Sequence, residues 1–328
     1  MGERIALLSS SYPRAVGDPA GHFVASEVAE LTAQGHEVHV FAPGPPSNSA
    51  SSASARIHWL EDRGCFGFPG ALSRLHERPL RALGAAEFAL RAASAVRRSG
   101  PYARVVAHFF LPCAWPILPL AANGTESLEV VGHGSDVRLF CALPTSLRGH
   151  IARQWLRRNV RLRVTSQELA ARLERANPEL AHALHVAASP LDMTDAPPRA
   201  AARAARGLDA AQRVALIVAR LVPEKRVDSA LRALSLLAEV SVIVVGDGPE
   251  RERLSAAFPS VRFTGHLARP EALSFIAAAD VLVSASLAEG APTVVREARA
   301  LGVPVVAREA GDLVAWAERD EQLWVVRR

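Results

Sequence analysis

At 328 residues the chain is too long for one ordinary hydrophobic core and about right for two domains. With 49% hydrophobic and 22% charged residues it is typical of a globular protein, which excludes a disordered chain. The formal net charge of +5 favours an anionic partner. Only 5% of residues are aromatic and no nucleic-acid motif is recognisable, so we expect no nucleic acid among the partners.

We expect the N-terminus to form a strand rather than a signal peptide. In MGERIALLSSSYP the apolar run covers only residues 5–8, and no later run is apolar over the width of a bilayer. The cysteines, Cys65, Cys113 and Cys141, lack metal-ligand spacing and are expected to be reduced. These features predict a cytoplasmic protein.

Strands and helices are predicted to alternate along the chain. After the first strand and a glycine-containing loop, an apolar stripe predicts a helix that ends at Gly35, before a strand at residues 38–41. Later apolar runs in the first half are ARVVAHF, LEVVGHG, VRLRVTS and ALHVAAS. Those in the second half are RVALIVAR, VSVIVVGDGPE, VRFTGH, ADVLVSAS, GVPVVARE and QLWVV. This rhythm predicts parallel sheets covered by helices on both faces.

The stretch DAPPRAAARAARGLDAAQ interrupts the rhythm, and its prolines and loose alanine/arginine composition predict an interdomain linker. We therefore expect an α/β protein of two Rossmann-like, doubly wound parallel-sheet domains, residues 1–192 and 193–328, facing each other across a cleft. Ligands of open parallel sheets bind at the carboxyl ends of the strands. The polar clusters that follow predicted strands include SSYPRAVGDPAGHF, HFFLPCAWP, GHGSDVRL, ARLVPEK and SASLAEGAP.

Lys225 is the only lysine among 38 basic residues. Arg220 ends a predicted strand, and Lys225 follows it before a helix that starts near Val227. A short turn there can direct a bidentate guanidinium and a compact ammonium to one pyrophosphate. The alternative is a surface lysine retained by chance.

Glu289 and Glu297 mark a second candidate site. Gly290 permits close backbone approach, and Pro292 suits the first turn of a helix, so this segment would offer amides to an anion or a sugar hydroxyl. The amides concerned are those of Ala291, Thr293 and Val294. The two carboxylates can accept hydrogen bonds from the vicinal hydroxyls of a ribose or hexose. A solvated, acidic helix start is the alternative.

The second half, residues 215–313, closely resembles the donor domain of the GT-B glycosyltransferases of family 4. The matching motifs are VARLVPEKRVDSALRAL, VIVVGDGPERERL, VRFTGHL, AAADVLVSAS and EGAPTVVREARALGVPVVA. The resemblance implies that Arg220 and Lys225 hold the donor diphosphate. It also implies that Glu289 contacts the donor hexose and Glu297 the ribose. The turn that would present its backbone to the nucleobase consists of Gly265, His266 and Leu267.

The first half resembles the acceptor domain of the same family more loosely, through AGHFVASEVAELTAQGHEVHVFAP, HFFLPCAWP and GHGSDVRL. The resemblance implies that the loop around Gly21 lies under the diphosphate and the acceptor. It implies that His133 hydrogen-bonds the transferred hexose, for which a purely structural histidine is the alternative. His108 and His22 are further candidates.

The resemblance implies a reaction: transfer of a hexosyl unit from a UDP- or GDP-sugar to a hydroxyl of a glycan, glycolipid or lipid-linked acceptor, with retention of anomeric configuration. The residues that it makes catalytic are His133, Arg220, Lys225 and Glu289. The sequence contains no Asp-x-Asp motif, so we expect the cations to replace a divalent metal and expect no cofactor.

Family members continue past the last strand to a helix that crosses back onto the first domain, whereas this sequence stops at DEQLWVVRR. We therefore expect the C-terminal domain to lack that helix. An impaired, truncated member that binds nucleotide sugars or acts as a scaffold is one alternative. A Rossmann oxidoreductase or sugar-nucleotide epimerase is another, although GDGPER lacks the three-glycine spacing of a dinucleotide fingerprint.

Two basic stretches leave a further question open. One is RLHERPLRALGAAEFALRAASAVRRSG, and the other contains Arg148, Arg153, Arg157, Arg158, Arg161 and Arg163. They predict either peripheral docking to an anionic membrane that carries a lipid-linked acceptor, or solvated helix faces in an arginine-rich protein.

Overall fold

The computed structural model describes residues 2–15, 18, 20–45, 51–52, 55–67, 71, 74, 78–121, 125 and 127–327. These residues fall into two compact units that divide between Pro190 and Leu191, close to the boundary expected at residue 192. Each unit is an α/β domain built on its own sheet.

The first unit contains seven parallel strands and a two-residue strand that pairs antiparallel at one edge. The strands are β1 (Arg4–Leu8), β2 (Glu37–Pro43), β3 (Ser51–Ser52), β4 (Ala55–Leu60), β5 (Arg104–His108), β6 (Ser127–Gly132), β7 (Arg161–Val164) and β8 (Leu184–Val186). Their spatial order is β3-β4-β2-β1-β5-β6-β7-β8. The strand order therefore reverses direction between β1 and β5.

Helices cover the first sheet. They are α1 (His22–Ala33), α2 (Ala82–Ser99), α3 (Leu118–Ala121), α4 (Ser135–Cys141), α5 (Thr145–Leu156) and α6 (Gln167–Ala176). Short 3-10 turns lie at Pro79–Arg81 and Pro178–Ala183, and an irregular helical segment at Phe110–Ile117. Phe110, Phe140 and Trp155 are fully buried and pack together in the core: Phe140 stacks on Trp155, and Phe110 meets both rings edge-on. This cluster anchors the helices that follow β5 and β6.

The second unit contains six parallel strands. They are β9 (Arg213–Val218), β10 (Val240–Val245), β11 (Arg262–Gly265), β12 (Val281–Ser284), β13 (Val305–Arg308) and β14 (Leu323–Val326). The helices are α7 (Arg199–Ala205), α8 (Val227–Leu234), α9 (Arg251–Ala257), α10 (Arg269–Ala278), α11 (Thr293–Ala300) and α12 (Leu313–Ala317), with a 3-10 turn at Pro223–Lys225. The spatial order β11-β10-β9-β12-β13-β14 is that of a doubly wound sheet whose order reverses between β9 and β12. The prediction of two Rossmann-like domains is confirmed.

The predicted interdomain linker is wrong. Its central residues, Arg199–Ala205, form α7, which packs on α10 inside the second unit. Arg203 is buried there and donates to the carbonyls of Ala278, Asp209 and Gln212 at 2.8, 2.5 and 2.5 Å. The alanine/arginine composition was therefore that of a packed helix whose arginine satisfies buried carbonyls, rather than that of a flexible connection.

The pattern also failed to predict β4, whose alternation is weak beside a serine-rich stretch that lies mostly outside the described residues. The helix end predicted at Gly35 is confirmed, since α1 ends at Ala33 and Gly35 has φ 87°. Within the described part of the chain, no helix has the length and apolar character needed to span a bilayer.

Candidate functional site

The reversal between β9 and β12 creates the edge at which a doubly wound sheet binds ligands. The loops that leave these two strands meet there, because the Leu287 amide donates to the Glu224 carbonyl at 2.9 Å. A small cavity lies between the loops and is lined by Ala219, Lys225, Ser284, Ser286, Glu289 and Val294. We call this region the β9–β12 edge.

Lys225 and Glu289 contact each other at the β9–β12 edge. Lys225 Nζ lies 2.6 Å from Glu289 Oε1, and the two side chains keep only 20% and 14% of their surface exposed. Lys225 ends the 3-10 turn, and Arg226, the residue before α8, has φ 46° in the left-handed region. The lysine is therefore held at the edge by its loop, which is not the geometry of a solvated surface lysine.

Arg220 lies two residues after the end of β9, and it is exposed. The backbone of its loop packs on Gly246 and Gly248, the glycines of GDGPE, and the sequence did not predict this contact. A Cβ on Gly246 would lie 1.9 Å from the Ala219 carbonyl oxygen, and one on Gly248 would lie 2.4 Å from that of Leu221. Both glycines also have positive φ. Only glycine therefore lets the β10 loop pack directly under the backbone beside Arg220.

Glu297 lies in the second turn of α11 and is buried, which contradicts the solvated alternative. It forms an ion pair with Arg269, whose guanidinium also donates to the Asp192 carbonyl at 2.5 Å. Arg269, at the start of α10, was not among the predicted residues. Its signal in the sequence was weak, because a single arginine before a proline is ordinary in this arginine-rich chain.

The helix start between the two glutamates differs slightly from expectation. Helix α11 begins at Thr293, so Pro292 precedes the helix and does not lie in its first turn. Gly290 is buried, and a Cβ on Gly311 would lie 2.7 Å from the Glu289 carbonyl oxygen, so the Glu289–Gly290 backbone is packed from behind. The amides of Thr293 and Val294 lie in the first turn, where a helix has no carbonyl of its own to offer them. Ala291 lies just before, partly buried.

The turn after β11 has the backbone required to expose its peptide groups. Gly265 is buried with φ 77°, and its carbonyl accepts from the Gly246 amide at 2.9 Å. His266 is exposed and Leu267 is partly buried. Their predicted contact with a nucleobase stays a prediction.

The corresponding edge of the first unit, between β1 and β5, carries Gly21 and His133. Gly21 precedes α1 with φ 63°, and a Cβ there would lie 2.2 Å from the Ser11 carbonyl oxygen. Close packing inside the loop therefore already requires glycine at this position, and a contact with diphosphate stays a prediction. His133, directly after β6, is partly buried, and its ring centroid lies 4.6 and 4.8 Å from those of Phe23 and Phe109.

Asp136 fixes the backbone of His133. Its carboxylate accepts from the amides of Phe110, His133 and Gly134 at 2.9–3.0 Å, while its burial raises its pKa. Behind His133, His108 Nδ1 lies 3.0 Å from His133 Nε2. Burial, together with the Arg163 cation, lowers the pKa of His108 well below its usual range. Burial, His108 and Arg163 do the same to the pKa of His133.

The structure therefore joins Lys225 to Glu289 directly and places Arg220 on the same loop as Lys225. It gives Glu297 a separate partner in Arg269. This arginine, the GDGPE support and the partners of His108 do not follow from the sequence, because all three depend on contacts between segments distant in the chain.

Residues 212–327 match the family model described as "Glycosyl transferases group 1". A D-inositol 3-phosphate glycosyltransferase of Mycolicibacterium gilvum is 41% identical over 78 residues, 24% of this chain and 17% of that protein. A GDP-mannose-dependent alpha-mannosyltransferase of Mycobacterium tuberculosis is 41% identical over 81 residues, 25% of this chain and 21% of that protein. The chain thus matches about a fifth of the length of these curated relatives.

Among solved structures, sucrose-phosphate synthase of Thermosynechococcus elongatus superposes with a TM-score of 0.78 at 22% identity, covering 99% of this chain and 86% of that one. This likeness extends over both units, and it shows their fold.

Proposed function

We propose that this chain, whose residues 212–327 match the group 1 glycosyl transferases and whose fold is GT-B, transfers a hexosyl unit from a nucleotide-diphosphate sugar to an acceptor hydroxyl. The observation that carries the proposal is the contact between Lys225 and Glu289 at the β9–β12 edge. This edge lies within residues 212–327, and it offers a cation for a diphosphate beside a carboxylate for sugar hydroxyls.

The proposed donor site has one role for each group. The exposed guanidinium of Arg220 and the ammonium of Lys225 bind the diphosphate oxygens, and Glu289 exchanges part of its contact with Lys225 for a hexose hydroxyl. Glu297, held by Arg269, is placed to accept from the ribose. The first-turn amides of α11 add hydrogen-bond donors for charge that develops on the leaving diphosphate.

The proposed reaction retains the anomeric configuration. The bond between the anomeric carbon and the diphosphate oxygen breaks, and its electron pair stays on the diphosphate. The acceptor oxygen forms its bond on the same face of the sugar, and its proton passes to the departing phosphate oxygen. Because the leaving group is the base, Lys225 and Arg220 need only stabilise its charge, and no divalent metal is required.

A binding screen followed by a turnover assay tests the proposal. UDP, GDP, UDP-sugars and GDP-sugars are titrated into the full chain by calorimetry, with NAD as the comparison ligand. The expected result is binding of one nucleoside diphosphate series, loss of that binding in Lys225→Ala, and glycoside product with an added acceptor hydroxyl. Binding without turnover would support the scaffold alternative, and binding of NAD alone would overturn the proposal.

We also propose that helix α2 docks the protein to an anionic membrane, where a lipid-linked acceptor would reside. Leu80, Leu83 and Leu90 are 82%, 61% and 66% exposed. Leu83 and Leu90 are two helical turns apart and share a face. The arginines exposed on the same helix are Arg97, Arg98 and Arg91, the last of which also pairs with Glu87 one turn earlier. Exposed leucines flanked by arginines match the apolar interior and the negative surface of such a membrane.

The other basic stretch does not form one surface. Arg148 donates to the carbonyls of Cys141, Leu143 and Ala176, and Arg163 is buried. Arg158 donates to the Pro119 carbonyl. These three guanidinium groups serve internal contacts, so we place docking on α2 alone.

Sedimentation with phosphatidylglycerol vesicles tests the α2 proposal, with phosphatidylcholine vesicles as the neutral comparison. We expect the doubly substituted L83S/L90S protein to lose binding. The matched L236S/L237S protein changes leucines that are 85% and 55% exposed in the second unit, and it should bind as the unsubstituted chain does. Equal binding by both variants, or none by the unsubstituted chain, would contradict docking through α2.

A further inference from the structure

A buried polar chain lies behind His133 and ends at Glu27 on α1. The rings of His108 and His133 stack 5.2 Å apart at 12°, and His108 Nδ1 lies 3.0 Å from His133 Nε2. One of these two nitrogens carries the shared proton and the other accepts it. Whether His108 Nδ1 or His133 Nε2 carries that proton depends on whether the other nitrogen of His108, Nε2, is protonated, because a neutral imidazole carries a single proton.

That opposite nitrogen, His108 Nε2, faces a carboxylate. It lies 3.8 Å from Glu27 Oε1, is buried, and has no hydrogen-bond partner among the described residues. Glu27 is itself buried and forms an ion pair with Arg163, which reaches Glu129 on its other side at 2.9 Å. A carboxylate at this distance stabilises an N–H directed at it and repels a lone pair in the same place.

Both histidines are neutral near pH 7, since their burial and the Arg163 cation lower their pKa values well below the usual range. Each ring therefore has one N–H. If His108 carries its proton on Nε2, its Nδ1 accepts the proton of His133 Nε2. The remaining nitrogen of His133, Nδ1, then has a lone pair and no proton.

We propose that Glu27 is a positioning residue which, through His108, fixes the tautomer of His133 and leaves Nδ1 of His133 as a hydrogen-bond acceptor for a sugar hydroxyl. This role in sugar recognition rests on the proposed function. A neutral acceptor selects a hydroxyl and offers no charge to a phosphate oxygen, so His133 serves the sugar and not the diphosphate.

The backbone around His133 supports a fixed ring. Phe109, whose ring packs on His133, has φ 74°, a left-handed conformation that is unfavourable for a bulky residue. Such strain is retained where surrounding structure holds a side chain in one place. The ring of Phe23 also packs on His133. The imidazole of His133 therefore has little freedom to flip and swap the positions of Nδ1 and Nε2.

Nitrogen-15 NMR of the full chain with labelled histidine reads the tautomers directly and requires no substrate. The ring signals are assigned with His108→Asn and His133→Asn. The expected spectrum shows both rings neutral at pH 7, each with its proton on Nε2. A proton on Nδ1 of His133, or a charged His133, would overturn the proposal even if the protein transfers sugar.

Glu27→Gln and Glu129→Gln form a matched pair, because both carboxylates are 7% exposed and both contact Arg163, but only Glu27 faces His108. We expect Glu27→Gln to give His108 and His133 a second tautomer and to raise KM for the sugar donor about tenfold with a smaller change in kcat. Glu129→Gln should retain the single tautomer and a KM within about twofold. Equal spectra for the two variants would overturn the proposal.

If Glu27→Gln fails to fold, the NMR spectrum of the unsubstituted chain decides alone. Absence of transferase activity with the expected tautomers would count against the proposed function only.

Discussion

Each unit pairs charged side chains close to its candidate site residues, but the two units bury these side chains to different degrees. At the β9–β12 edge, the side chains of Lys225 and Glu289 keep 20% and 14% of their surface exposed. In the first unit, Glu27 and Arg163 keep about a tenth, and His108 keeps none. The partly exposed pair can exchange its internal contact for a ligand, whereas the buried group can only orient the histidine in front of it.

Breaking the support under the β9–β12 edge should have the largest effect. In Gly246→Ala the new Cβ would meet the Ala219 carbonyl at 1.9 Å, with φ 134° at the substituted residue. We expect the free energy of unfolding to fall by about 3 kcal/mol, because a backbone clash adds to the conformational strain. Chemical denaturation measures the loss, and nucleotide affinity should fall with it because Arg220 follows the displaced carbonyl.

Gly302→Ala is the control for that substitution. Gly302 also has positive φ, at 70°, but its added Cβ would meet none of the described atoms within 4 Å. It should cost only the left-handed conformation, about 1–2 kcal/mol, and leave nucleotide affinity unchanged. If both alanines behaved alike, the GDGPE loop would not be a support for Arg220.

Removing the cation from the β9–β12 edge should have the next largest effect. Lys225→Ala deletes a charge-assisted contact worth about 1.5–3 kcal/mol, which corresponds to a ten- to hundredfold loss of turnover. Initial rates of glycoside formation measure it. Arg232→Ala removes a cation from the exposed face of α8 and should remain within about twofold. A Lys225→Ala protein that retained full turnover would show that the contact between Lys225 and Glu289 has no part in the transfer reaction.

The buried histidines of the first unit should make the free energy of unfolding depend on pH. Because the folded-state pKa values of His108 and His133 are lowered, the unfolded chain binds protons first as the pH falls below about 6.5. The free energy of unfolding should therefore decrease with acidification, by up to about 1.4 kcal/mol per pH unit for each histidine.

Urea unfolding at pH 7.5, 6.5 and 5.5 measures that slope. Glu27 and Arg163 are the charged residues next to His108 and His133. His108→Gln removes one of the two titrating rings while leaving both of these residues in place, and it should flatten the slope by about half. An unchanged slope would mean that the pair does not titrate differently in the folded and unfolded chain.

The same contrast explains what the sequence could predict. The parallel sheets, the helix before Gly35 and the positions of Lys225 and Glu289 follow from local patterns, since strand, loop and helix start lie within a few residues. Arg269, Glu27 and Arg163 act through partners on other elements, up to 136 positions away for Arg163 and Glu27. In a chain with 37 arginines, composition could not distinguish a buried arginine from a solvated one. Helix α7 was taken for a linker for the same reason, because it packs on α10, where Arg203 donates to the Ala278 carbonyl 75 positions away.

The smallest expected effect is that of a chelator. In the proposed reaction, Arg220 and Lys225 carry the positive charge that a divalent metal would otherwise supply to the leaving diphosphate. Excess EDTA should therefore leave the initial rate within about twofold, and added Mg²⁺ or Mn²⁺ should not raise it further. The sharper form of the test uses Lys225→Ala: if the edge works by charge, Mg²⁺ should recover part of the activity that this variant loses, since a metal bound to the diphosphate replaces the missing ammonium. EDTA inactivation of the unsubstituted chain, reversed by metal, would show that the two cations are not sufficient for the leaving group.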